Sequence, residues 1–140
     1  MATNHEKIVS QLMLDWSSSN RGRLFKNHTG GAWTSTRIDN EYFVTDKNKR
    51  QFKVVTLWNA NFIKYGLRAG DKKFTDLVGF EVIDNTAVFC CIEVKTFGYK
   101  TLTDEQKDCL TMCVNFGGRG YVAMETEEGY CLEEWTVNHV

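Results

Sequence analysis

The feature that most constrains the fold of this 140-residue chain is the run 86-TAVFCCIEVK-95, which is apolar and β-branched yet ends with a glutamate and a lysine two residues apart. Such residues favour the extended backbone of a buried strand. On a strand, residues i and i+2 share a face, so Glu93 and Lys95 stand side by side while Val88, Cys90, Ile92 and Val94 face the other way. Charge on a buried strand is tolerated only where something compensates it. The rest of the chain must supply that compensation.

Two helix starts flank the strand. Thr3 followed by Glu6 opens a helix predicted over 4–17, with Ile8, Leu12, Leu14 and Trp16 as its apolar stripe and 17-SSSNRG-22 as its end. Thr103 followed by Gln106, with acids in the first turn, opens a second helix; Leu110, Cys113, Val114 and Phe116 are its apolar positions and 117-GG-118 its stop. Between them, 23-RLFKNH-28 reads as a strand and 29-TGG-31 as a turn. The pieces 41-EYFVT-45 and 52-FKVVTLW-58 read as strands around the basic turn 46-DKNKRQ-51. A turn at 70, a strand over 74–80 and a turn at 84-DN-85 set up a hairpin with 86–95. Strands at 120–126 and 130–135 follow. The order α–β–β–β–α–β predicts an α/β (α+β) fold, a central mixed sheet flanked by helices. The length suits a single domain over 1–140.

At 42% hydrophobic and 25% charged residues, the composition excludes a disordered or fibrous chain. No run approaches the roughly 18 apolar residues of a membrane-spanning helix. MATNHEKIVSQLMLDW lacks the basic and apolar segments of a secretory signal, so a cytoplasmic protein without membrane contact is expected. The five cysteines, odd in number and without a CxxC pair, read as small core residues in a reducing compartment rather than as metal ligands. The net charge of −1 hides a division: residues 20–73 carry twelve Lys/Arg against four Asp/Glu, and residues 74–140 carry four against twelve. Such asymmetry suits a polyanion-binding surface joined to an acidic region, and equally two solvated faces of opposite sign.

Asp76 and the pair Glu93/Lys95 form the pattern D-(x)16-E-x-K across the predicted hairpin, in which Asp76 lies beside Glu93. An exposed Glu–Lys pair alone is common and energetically minor. Two adjacent carboxylates, however, repel each other unless a cation lies between them. Hard oxygen ligands without a neighbouring His or Cys favour Mg²⁺ or Mn²⁺ over Zn²⁺. Lys95 then puts a positive charge beside the metal, where it orients a water or stabilises developing negative charge. A metal site would be the compensation the strand needs.

These residues resemble the PD-(D/E)xK nuclease motif, and their surroundings are similar to the VRR-NUC branch of that superfamily. The matching pieces are 66-GLRAGDKKFTDLVGF-80, 92-IEVKT-96, 102-LTDEQ-106 and 117-GGRGYVAM-124. The first helix with Glu6 and the segment 26-KNHTG-30 resemble the branch's E…R-N-x-x-G opening. The likeness runs in order along nearly the whole chain, with a longer and more individual insertion at about 32–65. Two departures stand out. Lys26-Asn27 replaces the usual Arg-Asn, keeping the charge but losing the bidentate fork for phosphate. Thr75 occupies the position for which the superfamily name suggests proline.

The resemblance implies a restriction-endonuclease-like αβββαβ core and a Mg²⁺- or Mn²⁺-dependent DNA endonuclease. Asp76 and Glu93 would hold the metal together with the Val94 backbone carbonyl, and Lys95 would position or activate the attacking water. Gln106 has two readings, a cap partner of Thr103 and a side chain facing the site. Glu6 likewise is a cap partner of Thr3 or a further acid at the site. Lys26, Asn27, Arg68, Lys72 and Lys73 would contact DNA. No recognition helix or zinc finger is evident, so DNA shape rather than base sequence would guide the cut. Likeness to Holliday-junction resolvases implies branched DNA and a homodimer whose symmetry matches a junction. Small size and high Asn, Lys and Phe content are compatible with a phage or mobile-element origin, and then with the host cytoplasm. The competing expectation is a nucleic-acid-binding module with a nuclease-like fold and no turnover. An RNA target is a third reading, since phosphodiester cleavage does not itself read the 2′ position.

Overall fold

The chain runs α1 (Asn4–Ser18), β1 (Gly22–Lys26), β2 (Gly30–Thr34), β3 (Arg37–Thr45), β4 (Gln51–Trp58), β5 (Asn61–Tyr65), β6 (Arg68–Ala69), β7 (Lys72–Lys73), β8 (Leu77–Ile83), β9 (Thr86–Lys95), α2 (Asp104–Asn115), β10 (Arg119–Thr126) and β11 (Gly129–Trp135). The computed structural model describes residues 2–99 and 101–137. The chain divides into two compact units: Met1–His28 with Leu67–Val140, and Thr29–Gly66. The second unit coincides with the insertion expected at about 32–65.

The first unit carries a five-stranded mixed sheet in the order β1-β8-β9-β10-β11. Neighbours are antiparallel except β9 and β10, which run parallel. A parallel pair cannot be joined by a tight turn, and α2 supplies the crossover. Leaving out the insertion and the short β6/β7 ladder, the order is α–β–β–β–α–β with one strand added, an α/β fold.

Strand β9 is covered on both faces. Cys90, Ile92 and Val94 pack with Ile8, Val9, Leu12 and Trp16 of α1. Cys91 packs on the opposite face with Cys109, Leu110 and Cys113 of α2. All five cysteines are free thiols and four are buried; burial pushes the Cys90 thiol up to about 12, which keeps it an inert packing group.

Both helices open with complete capping boxes, Thr3 with Glu6 and Thr103 with Gln106. Their apolar stripes differ from the expectation at two places. Leu14 is 60% exposed, and Val9 takes its place in the core. Two residues on from Leu12, Leu14 is turned by about 200° to the far side of the helix. Phe116 is the C-cap of α2 and 88% exposed, because the helix ends at Asn115. Strand β8 begins at Leu77 rather than 74 and runs on to Ile83. Asp84 and Asn85 join it to β9 with φ of 50° and 61°, the left-handed pair of a type I′ hairpin turn. Residues 30–31, expected in a turn, belong to β2.

The second unit consists of two antiparallel ladders, β2 with β5 and β3 with β4. None of its side chains is buried. Cross-strand aromatics hold it instead: Trp33 and Phe62 lie 5.3 Å apart between ring centroids, and the rings of Phe62 and Tyr65 occupy the space over Gly31 and Gly30. Among the described residues, no helix is long and apolar enough to cross a membrane.

Candidate active site

The last residue pair of the β8/β9 ladder is Leu77 with Ile92. One step outward, the same register sets Asp76 opposite Glu93, and directly opposed strand residues share a face. Asp76 Oδ2 accepts the Val94 N–H at 2.9 Å and lies 3.3 Å from His5 Nε2. The N–H and C=O of one strand residue point to the same edge, so the Val94 carbonyl faces the side on which Asp76 lies. Asp76, Glu93, Val94, Lys95, Gln106 and Lys73 all line one cleft of about 670 Å³.

Asp76 is positioned from behind by Asn27. The Asn27 N–H donates to the Asp76 carbonyl at 2.9 Å. Its side-chain amide donates to the Leu67 and Thr75 carbonyls, both at 3.1 Å, and accepts the Leu67 N–H at 2.7 Å. This one side chain joins the point where the chain leaves the first unit to the point where it returns. Thr75 is buried and donates its hydroxyl to the Leu77 carbonyl at 2.9 Å, fixing the approach to β8 that a proline would otherwise stiffen.

Glu93 and Lys95 are 5% and 8% exposed. Gln106 Nε2 donates to Glu93 Oε1 at 3.0 Å while Gln106 Oε1 accepts the Thr103 N–H at 2.9 Å. The two readings of Gln106 therefore hold together, since one amide has a donor end and an acceptor end. Burial, and after it the Asp76 carboxylate, push the Glu93 carboxyl up to about 8, against the pull of Lys95 and Lys73.

Glu6 does not line the cleft; its carboxylate turns back to accept the Thr3 N–H at 2.9 Å. Its neighbour His5 reaches the site instead, a contact between residues 71 apart in sequence that no local pattern announces. Of the expected DNA contacts, only Lys73 lines the cleft. The Asn27 amide is committed to the backbone bonds above, Lys72 pairs with Asp108 at 3.4 Å, Arg68 donates to the Asp71 carbonyl at 3.3 Å, and Lys26 is exposed on β1. Phe97, Tyr99 and Glu125 also line the cleft, from positions the sequence marked only as a connection and a strand end.

The donor set suits a hard divalent cation. Among the described residues, no three His, Cys, Asp or Glu side chains converge to form a metal cage. Two carboxylates and a main-chain carbonyl are nonetheless a sufficient protein share for Mg²⁺, which keeps several waters or substrate oxygens in its shell. A carboxylate held out of its ionised form by burial and by a second carboxylate is in the condition a bound cation relieves.

A second charged cluster lies on the α1 side. Glu81, 4% exposed, accepts from Arg21 at 2.6 Å, Arg119 at 3.1 Å and the Tyr121 hydroxyl at 2.8 Å. Arg21 also stacks 4.0 Å from the Trp16 ring centroid. Every charge there has a partner, and the cluster ties the α1–β1 connection to β8 and β10. No protein-family model matches the chain, and no curated protein matches it.

Proposed function

We propose that the protein is a Mg²⁺- or Mn²⁺-dependent endonuclease of PD-(D/E)xK type, cutting DNA that is branched or otherwise structured. The observation that carries this reading is the meeting of Asp76 and Glu93 in one cleft with Lys95 beside them. Asp76, Glu93 and the Val94 carbonyl would hold the metal, which when bound supplies Lewis-acid activation of a phosphodiester and its attacking water.

The protein's own groups do the rest. Asp76 is oriented by the Val94 N–H and by His5. Gln106 orients Glu93 through Oε1. Lys95, nearly buried, brings positive charge to where negative charge develops on phosphate oxygens. Lys73 adds a second cation at the cleft wall. As a further part of the proposal, two copies would serve the symmetric cut sites of a four-way junction.

The test is cleavage of single strands, duplex, flap and four-way junction in Mg²⁺, Mn²⁺ or EDTA, with wild type and Lys95→Ala side by side and circular dichroism of both. A metal-dependent product from wild type, reduced about 10²–10⁴-fold in Lys95→Ala, supports the reading. If both proteins are folded and bind DNA but neither cuts, the non-catalytic binding module replaces it.

A further inference from the structure

Between β9 and α2 the chain makes a tight turn that forms one wall of the cleft. The Tyr99 N–H donates to the Thr96 carbonyl at 2.9 Å, closing a turn with Phe97 and Gly98 at its centre. The Phe97 N–H is taken by the Glu125 carboxylate at 3.0 Å. That bond anchors the turn to β10 and engages the acid on this wall. Phe97 and Tyr99 both line the cleft while remaining 53% and 77% exposed. Two aromatic rings thus stand at the mouth of the cleft on a turn held in place through the Tyr99 and Phe97 N–H groups.

We propose that Phe97 and Tyr99 form a stacking subsite for an unpaired base, in the same cleft as Asp76, Glu93 and Lys95. The inference rests on the nuclease reading of the same cleft and names the substrate class within it: a nucleic acid with a single-stranded nucleotide at the cut. An aromatic side chain stacks only on a base whose face is open, and the inner bases of a duplex have both faces covered. Sites that enclose a small ligand measure about 300–1,000 Å³, and a cleft of about 670 Å³ has room for one nucleotide between its walls. Stacking tolerates every base, since each has a π-face. Discrimination between DNA with an unpaired nucleotide, such as a flap, and an intact duplex then lies in this turn, with no base-reading element required.

The experiment uses 2-aminopurine, whose fluorescence falls when the base stacks. Full-length Lys95→Ala protein, chosen to suppress turnover, is titrated into a DNA hairpin whose single-stranded tail carries the probe at successive positions. Quenching is expected at one or two positions adjoining the duplex. Tyr99→Ala or Phe97→Ala, added to that background, should abolish it and weaken binding of the tailed DNA by about 5–150-fold, and Tyr99→Phe should restore it. Glu125→Ala, which removes the anchor without touching a ring, should reduce the quench. Absence of quenching at every position, or quenching that survives both alanine changes, overturns the subsite. Wild-type cleavage is scored separately. Stacking without metal-dependent cleavage defeats the nuclease reading and leaves the subsite standing; cleavage with kinetics unchanged in both alanine variants does the reverse.

Discussion

Glu93 is buried beside a second carboxylate, and its carboxyl is pushed up to about 8 from an ordinary value of 4.5. Below the ordinary value, the folded and unfolded chains are both protonated. Between the two values the unfolded chain releases the proton first, so this group's contribution to stability falls as pH rises through that window. In EDTA, the melting temperature is therefore expected to decline from pH 5 to pH 8, with Glu93→Gln flattening the decline. A divalent cation favours the ionised carboxylate, so stabilisation by Mg²⁺ should grow towards alkaline pH in wild type and not in Glu93→Gln. A decline just as steep in Glu93→Gln would assign the pH dependence to other groups. Asn27 offers a second test, because its amide makes three bonds to main-chain atoms of Leu67 and Thr75. At roughly 1 kcal/mol each, Asn27→Ala should lose about 2–4 kcal/mol in urea denaturation and weaken Mg²⁺ binding measured by calorimetry. Unchanged stability would mean these bonds are replaced by water. The carboxylate pair was legible in the sequence because strand period and hairpin register are short-range rules. His5 was not, because its contact depends on how α1 lies against the end of the sheet. The role of Asn27 was hidden for a similar reason, its partners being distant in sequence.

At the scale of elements, the caps were the most legible feature, since a capping box is a local exchange of hydrogen bonds. In α2 the cap reaches further, because Gln106 closes the box at one end of its amide and holds Glu93 with the other. Thr103→Ala should cost about 0.5–2 kcal/mol and, on the proposed nuclease reading, also slow cleavage, as Gln106 loses its fixed rotamer. A loss of stability with full activity would show that Glu93 alone fixes Gln106. The β8/β9 hairpin depends on two left-handed residues, so Asn85→Val should destabilise by roughly 1–2 kcal/mol while Asn85→Gly should not, as chemical denaturation would show. Strand β2 escaped the sequence because paired glycines signal a turn. Its glycines are covered by Phe62 and Tyr65 from the partner strand, a cause that lies thirty-odd positions away along the chain. Leu14 departs from α1's buried stripe because a strict helical count puts it on the far side from Leu12 and Trp16.

At the scale of the molecule, the two units differ in what holds them. The first has apolar clusters on both faces of its sheet, and the second buries no side chain. Local stability follows buried apolar contact, so amides of β2–β5 should exchange with deuterium well before those of β8–β10. Limited proteolysis should cut first within residues 29–66. Equal protection of both units would show that the insertion draws stability from a source outside its own ladders. The bonds of Asn27 to Leu67 have a wider consequence. They hold the two ends of the insertion side by side within the first unit. Because closing a loop costs entropy only as the logarithm of its length, the segment between them behaves as a cassette. It can lengthen, shorten or be spliced for another hairpin while Asp76 keeps its place. What the insertion touches can thus change without moving Asp76 or Glu93.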